Sequence, residues 1–265
     1  SIVAGAKATK ATVLSFRHND FDHLAQLLAE HRGTHRNCLI VVEGLYSMDG
    51  DIPDLPKILA LKDAHSSWLL VDEAHSIGVL GDRGRGISEH YGEDPARIDL
   101  IVGTLSKAFV SCGGFIGARQ AIIDWLRFTL GGFVYSVGLS PVVTAAAHAA
   151  LRIVAAQPQR AAKLRLISEL FLKKARGAGL NTGDAIGRAV VPVMFEDLMS
   201  TMAASQALMA ANVYAPPIVH VGVPKDAPRI RFFLSATHEA HHLDVAINAL
   251  ASLPKANSQP LRMAM

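Results

Sequence analysis

Residues 68–76 read Trp68, Leu69, Leu70, Val71, Asp72, Glu73, Ala74, His75 and Ser76: a short apolar run that stops at a carboxylate, with an imidazole three positions later. Apolar side chains on consecutive rather than alternating positions predict a strand covered on both faces, the pattern of a largely parallel sheet dressed with helices. Runs of the same kind occupy Ala11 to Phe16, Cys38 to Glu43 and Leu100 to Gly103, with helical patterns between several of them. The sum is an α/β architecture. From about Pro141 to Gly179 the chain turns rich in Ala and Leu at spacings of three and four, which predicts long helices without intervening strands. A second unit follows. Its strands are expected over Ala189 to Phe195 and Arg229 to Ser235, and a last helix over Glu239 to about Leu253 with Thr237 or His238 near its cap. We therefore expect a large domain over residues 1–150, a smaller C-terminal α+β domain over 151–254 and a frayed tail over 255–265.

The 265 residues, half of them hydrophobic, are enough to bury a core of ordinary size. The net charge of +3 is dispersed, with no basic run long enough for a nucleic-acid or membrane patch, so no nucleic-acid partner is expected. Apolar stretches are broken by charged residues, Gly or His before the roughly 18 residues a membrane helix needs, so no membrane span is expected. Cys38 and Cys112 alone cannot build a disulfide framework, and no secretory leader precedes the first strand; a soluble protein in a reducing cytoplasm is the expectation.

In open α/β sheets ligands sit beyond the carboxyl ends of the strands, so polar residues that end strands are the first candidates for chemistry. Asp72 and His75 end one strand. Leu100 to Phe109 ends the next with Thr104, Ser106 and Lys107. Alone, a strand-end Asp is more often a helix cap and a lone Lys a solvated side chain. Together, one strand-helix-strand step apart, they can reach one crevice.

Three stretches occur in order: Val41 to Asp51 (VVEGLYSMDGD), Asp72 to Ser76 (DEAHS) and Gly103 to Phe109 (GTLSKAF). Arg17 to Asp20 (RHND), Tyr135-Ser136 followed by Pro141, the Arg229-Ile230-Arg231 triplet and Ser235 to His238 add to them. This text resembles the α-oxoamine synthases, a family that includes 8-amino-7-oxononanoate synthase, 2-amino-3-ketobutyrate CoA ligase, 5-aminolevulinate synthase and serine palmitoyltransferase.

The resemblance implies a pyridoxal-phosphate-dependent transferase of fold type I: a mostly parallel sheet with covering helices plus a smaller C-terminal α+β domain. The cofactor is pyridoxal 5′-phosphate (PLP), held by Lys107 as a Schiff base. A carboxylate against the pyridine nitrogen keeps it protonated and electron-withdrawing, the part assigned to Asp72. His75 would contact the ring's phenolic oxygen. Thr104 and Ser106 would offer hydroxyls to the phosphate, with Ser136 reaching it from the other subunit of a homodimer. Ser47 would lie near cofactor and substrate. The substrate carboxylate needs a planar cationic fork, and Arg231 is chosen for it over Arg229. The implied reaction condenses a small amino acid (glycine, alanine or serine) with an acyl thioester on coenzyme A or acyl carrier protein, usually with loss of CO2. The alternative is a non-catalytic subunit or an inactive form. The resemblance also implies that relatives carry a segment before the equivalent of Ser1 that stacks a side chain on the cofactor ring, so this form is expected to dimerise through its large domain but to bind cofactor weakly or not at all.

Three further motifs are set aside. His238-Glu239-Ala240-His241-His242 has the spacing of a zinc-binding helix but lacks a third His downstream, so no metal is expected. Gly81 to Gly86 lacks the spacing of a dinucleotide loop and reads as a flexible loop. His18-Asn19-Asp20 is expected to end a strand and cap the next helix.

Overall fold

The computed structural model describes residues 2–219, 223–224 and 226–253. The chain opens with a short helix α1 (Ile2–Lys7), followed by α2 (Phe21–His31). The Asp20 side chain accepts a hydrogen bond from the His23 amide and so starts α2, as its position before an apolar run predicts. Leu24 and Leu28, one turn apart, bury the inner stripe. Residues 11–16, by contrast, form no strand. They have no ladder partner, and Val13 and Leu14 stay exposed. Strand propensity alone does not make a strand; pairing does.

The first sheet contains β1 (Leu39–Glu43), β2 (Trp68–Asp72), β3 (Leu100–Thr104) and β4 (Gly114–Ala118), in that spatial order. The first three run parallel and β4 closes the edge antiparallel. The crossover from β1 to β2 is α3 (Leu55–Ala64), capped by Asp54 on the Lys57 amide and buried through Leu55, Ile58 and Leu59. A short α4 (Ile87–Tyr91) lies between β2 and β3. One sheet face is sealed: Ile40, Val42, Leu69 and Val71 pack with Leu24, Leu28, Leu55, Ile58 and Leu59. The other face, with Leu39, Val41, Trp68 and Leu70, is only partly covered by the described residues, so consecutive apolar positions here do not mean two equally sealed faces.

Helices then dominate: α5 (Gln120–Thr129), α6 (Gly131–Val134), α7 (Pro141–Ala156) and α8 (Gln159–Gly177). The second sheet follows with β5 (Val190–Met194), α9 (Leu198–Ala210), β6 (Pro217–Ile218), β7 (Arg229–Phe233) and α10 (Ala240–Ala251). Its order is β5-β7-β6, all antiparallel. Phe171 of α8 meets Phe232 of β7 at 4.9 Å between ring centroids, inside a core with Leu208, Ile230, Leu243 and Ile247. The cap of α10 is Glu239, one residue beyond the expected positions.

The two sheets are joined at the turn after β1. Gly50, at φ 71°, sits so close to the Val190 carbonyl that an added Cβ would lie 2.4 Å from its oxygen, and the Gly50 carbonyl accepts from the Ile186 amide. Arg229 of β7, almost fully buried, reaches across to the Asp49 carboxylate at 2.6 Å and the Met48 carbonyl at 3.1 Å. This clamp brings the start of β7 over the carboxyl ends of β1 and β2. The tail expected over residues 255–265 lies outside the described residues.

Candidate active site

Parallel pairing sets three strand ends level. Glu43 of β1 lies in register with Asp72 of β2, and Asp72 with Val102 of β3, two residues before Thr104. Beyond these ends lies a cleft of about 450 Å³ lined by Glu43, Ser47, Asp72, His75, Thr104 and Lys107. Six positions from three separate stretches of sequence thus face one space.

Each is held by local chemistry. The Asp72 Oδ1 accepts from the Ala74 amide at 2.9 Å, which fixes the turn that carries His75. Behind that turn the buried Glu73 carboxylate accepts from the Ile87 amide and the Ser76 hydroxyl. After β3, the Thr104 and Ser106 hydroxyls lie 2.7 Å apart and the Ser106 amide donates to Thr104 Oγ1 at 3.2 Å. Gly103 allows β4 to pair closely there: a Cβ on it would lie 2.5 Å from the Phe115 ring.

The charges are tuned by burial. Desolvation lowers the Lys107 ammonium from its ordinary range, with Arg231 adding to the effect and Asp72 and Glu43 opposing it. His75 is pushed down to about 4, chiefly by burial and then by Lys107 and Arg231. Its imidazole is therefore neutral at pH 7, and it stacks on Phe233 at 6.1 Å between centroids. For a base whose pKa falls on folding, the unfolded chain binds the extra proton between about 4 and the ordinary 6.5. Stability should therefore drop as pH falls through that window. An NMR titration of His75 in the cofactor-free protein is expected to give a midpoint near 4; one near 6.5 would refute the burial argument.

Arg231 of β7 donates to the Ser47 carbonyl at 2.7 Å, and its guanidinium sits 5.0 Å over the Phe233 ring. Its Nε is buried without a partner among the described residues. Arg229 has no such spare capacity, being spent on Asp49 and Met48. A second cleft of about 620 Å³, lined in part by Arg231 and Phe233, adjoins the first through Ala74, His75 and Lys107. Ser136 lines neither cleft of its own chain; it is exposed beyond α6, its hydroxyl donating to the Phe133 carbonyl at 3.3 Å.

Sequence reasoning missed Glu43. Its Oε2 accepts from the Ser47 amide at 2.9 Å, and burial pushes its carboxyl up, helped by Asp72 and opposed by Ser47 and Lys107. The signal was available, since Glu43 ends a strand in a carboxylate just as Asp72 does. Phe233, the aromatic floor under His75 and Arg231, had no comparable signal.

The motifs set aside are accounted for locally. His242 Nδ1 accepts from the Glu239 amide at 3.0 Å and so completes the cap of α10, while His238 Nδ1 accepts from the Ser235 amide at 3.1 Å and closes the turn before it. His18 Nε2 lies 2.8 Å from Asp51 Oδ2, which Asn19 Nδ2 also reaches at 2.7 Å. That network holds the turn before α3 rather than facing either cleft. No described helix is long and apolar enough to cross a membrane.

The description of the class I and II aminotransferase family matches residues 1–250. The chain is 33% identical over 255 residues to 8-amino-7-oxononanoate synthase of Thermoanaerobacter pseudethanolicus, covering 96% of this chain and 64% of that protein. It is 35% identical over 264 residues to serine palmitoyltransferase 2 of Dictyostelium discoideum, covering 94% of this chain and 54% of that one. Among solved structures, the Sphingomonas wittichii serine palmitoyltransferase superposes with a TM-score of 0.89 at 29% identity, over 95% of this chain and 63% of that one. The structure of SPT with its PLP internal aldimine gives 0.88 at 28% identity, over 94% and 63%. The chain thus spans less than two thirds of the length of these relatives.

Proposed function

The chain belongs to the class I and II aminotransferase family, with the fold type I architecture of PLP-dependent transferases, and on that premise we propose that it carries the catalytic residues of a PLP-dependent C-acyltransferase. The reaction joins a small amino acid to an acyl thioester with loss of CO2. The observation that carries this reading is the meeting of Lys107, Asp72 and His75 at the mouth of one cleft.

The donor set fits the cofactor. Asp72 offers a carboxylate to a ring nitrogen. The facing hydroxyls of Thr104 and Ser106 suit a phosphate, and Lys107 stands beside them with a lowered proton affinity. When bound, PLP supplies an electron sink for negative charge at the α-carbon of an amino acid. Asp72 would hold the proton on the ring nitrogen. Lys107 Nζ would be the nucleophile that holds the cofactor and then the base that takes the α-proton, work to which an amine whose proton affinity is lowered by desolvation is suited. Neutral His75, stacked on Phe233, would donate to the ring's phenolic oxygen, and Ser47 borders the same space. Arg231, which lines the second cleft and engages only one terminal nitrogen, on the Ser47 carbonyl, would be the donor for the substrate carboxylate.

Arg231→Gln is expected to raise the KM for the amino acid about tenfold or more, with a smaller change in kcat, because a charged fork to a carboxylate is worth about 1.5–3 kcal/mol. An unchanged KM would move the carboxylate site elsewhere.

We also propose that two copies pair across the exposed surface of α5 to α7, where Trp125, Phe128, Phe133, Tyr135 and Val142 stand free of partners among the described residues. Ser136, in the middle of this surface, would then serve the phosphate of the neighbouring copy. We propose, too, that the chain divides near residue 150 into the two expected domains. With both thiols unpaired, we place the protein in the cytoplasm.

The test is release of free thiol from an acyl-CoA by the PLP-loaded holoenzyme, with glycine, alanine and serine supplied separately. Release that depends on one amino acid supports the proposal. Transamination of that amino acid without thiol release would replace it.

A further inference from the structure

The second cleft has an unbalanced lining. It contains four cationic side chains, Arg83, Lys107, Arg160 and Arg231, and no carboxylate. The first cleft, by contrast, sets Glu43 and Asp72 against Lys107. Between the cations of the second cleft the wall is apolar, with Val79, Val154, Leu164 and Leu234 among its residues. A largely apolar cleft whose charged lining is all cationic fits an amphiphilic anion rather than a neutral chain.

Lys107 and Arg231 belong to the reacting centre, but Arg83 and Arg160 do not. Arg83 lies on the loop after β2, and that loop is fixed. The amides of Arg83 and Arg85 donate to Glu89, Asp82 pairs with Arg165 at 3.2 Å, and Gly78 donates to the Gly84 carbonyl at 2.7 Å. The neighbouring acids are thus engaged, and the Arg83 guanidinium has no hydrogen-bond or ionic partner among the described residues. Arg160, in the first turn of α8, donates from Nε to Gln157 Oε1 at 2.6 Å, which aligns its fork and leaves the terminal nitrogens open. Two exposed guanidiniums, from elements far apart in sequence, meet at one apolar cleft without a carboxylate to balance them.

We propose that Arg83 and Arg160 form an anion clamp that selects acyl donors carrying negative charge away from the thioester, deepening the acyltransferase reading on which it rests. The clamped group is an oxyanion, from either the phosphates of the carrier or a carboxylate at the far end of the acyl chain. Arg83 and Arg160 act on binding and not on the chemical step.

Three probes separate the sources when titrated calorimetrically into the holoenzyme: octanoyl-coenzyme A, octanoyl-pantetheine, which has no phosphate, and 7-carboxyheptanoyl-pantetheine, which has only a chain-end carboxylate. At least one anionic probe should bind about tenfold tighter than octanoyl-pantetheine, as two partly exposed ion pairs allow. Preference for the coenzyme A probe assigns the phosphate, and preference for the carboxylate probe assigns the chain end. The double variant Arg83→Gln/Arg160→Gln should lose the preference while its affinity for octanoyl-pantetheine stays the same, which also shows that the cleft is folded; Arg83→Lys/Arg160→Lys should retain most of it. Equal affinity for all three probes, no measurable binding of any, or a preference that survives the double Gln variant overturns the clamp. Failure of the parent reading is distinct: the clamp's selectivity would persist in a protein whose Lys107 never takes up PLP covalently.

Discussion

Lys107→Ala is expected to lower acyl-transfer turnover by at least about a thousandfold, roughly 4 kcal/mol of barrier. The reason lies in the two duties proposed for it. Lys107 is the only described amine that lines the first cleft, so its loss removes both the covalent anchor for the cofactor and the base at the α-carbon. The loss should be chemical rather than structural. The Lys107 side chain is exposed and outside both apolar cores, and its carbonyl accepts from the Val110 amide whatever the side chain. Thermal unfolding of the cofactor-free variant should therefore match that of the parent. Turnover within tenfold of the parent would remove Lys107 from the mechanism.

Asp72→Asn should cost at least about a hundredfold in kcat, near 2.7 kcal/mol, at unchanged fold. Asparagine retains the Oδ1 that accepts from the Ala74 amide, so the turn carrying His75 survives and the variant isolates the charge. What it cannot do is hold a proton on a pyridine nitrogen. Asp72→Glu keeps the charge and should recover part of the rate where Asn does not. A kcat within threefold of the parent for Asp72→Asn would show that the carboxylate has only the structural duty.

The large sheet was legible wherever a β-branched run ended in a polar residue: β1, β2 and β3 fall where the text places them, because burial of a sealed face selects those side chains. The sheet's fourth strand was not. Gly114–Ala118 carries two glycines and little strand propensity, and it pairs because Gly103 leaves room for Phe115. Residues 11–16 failed the opposite way, having propensity but no partner. Most candidate site residues were readable because parallel strands end together, so Asp72 and Thr104 share a cleft with residues a few positions after them. Arg231 was readable only through the resemblance, since nothing near it in sequence shows that the Arg229 clamp swings β7 over the first sheet. The same clamp occupies Arg229 in an ion pair with Asp49 and leaves Arg231 without one among the described residues. Ser136 is exposed and lines neither cleft of its own chain, so its place in the site was not legible from this chain alone.

Reduction of the PLP-saturated protein with borohydride, followed by proteolysis and mass spectrometry of the peptides, tests the central claim most directly. A single pyridoxyl label on Lys107, absent from Lys107→Ala, is the expected result. A label on any other lysine, or none at saturating cofactor, would contradict it.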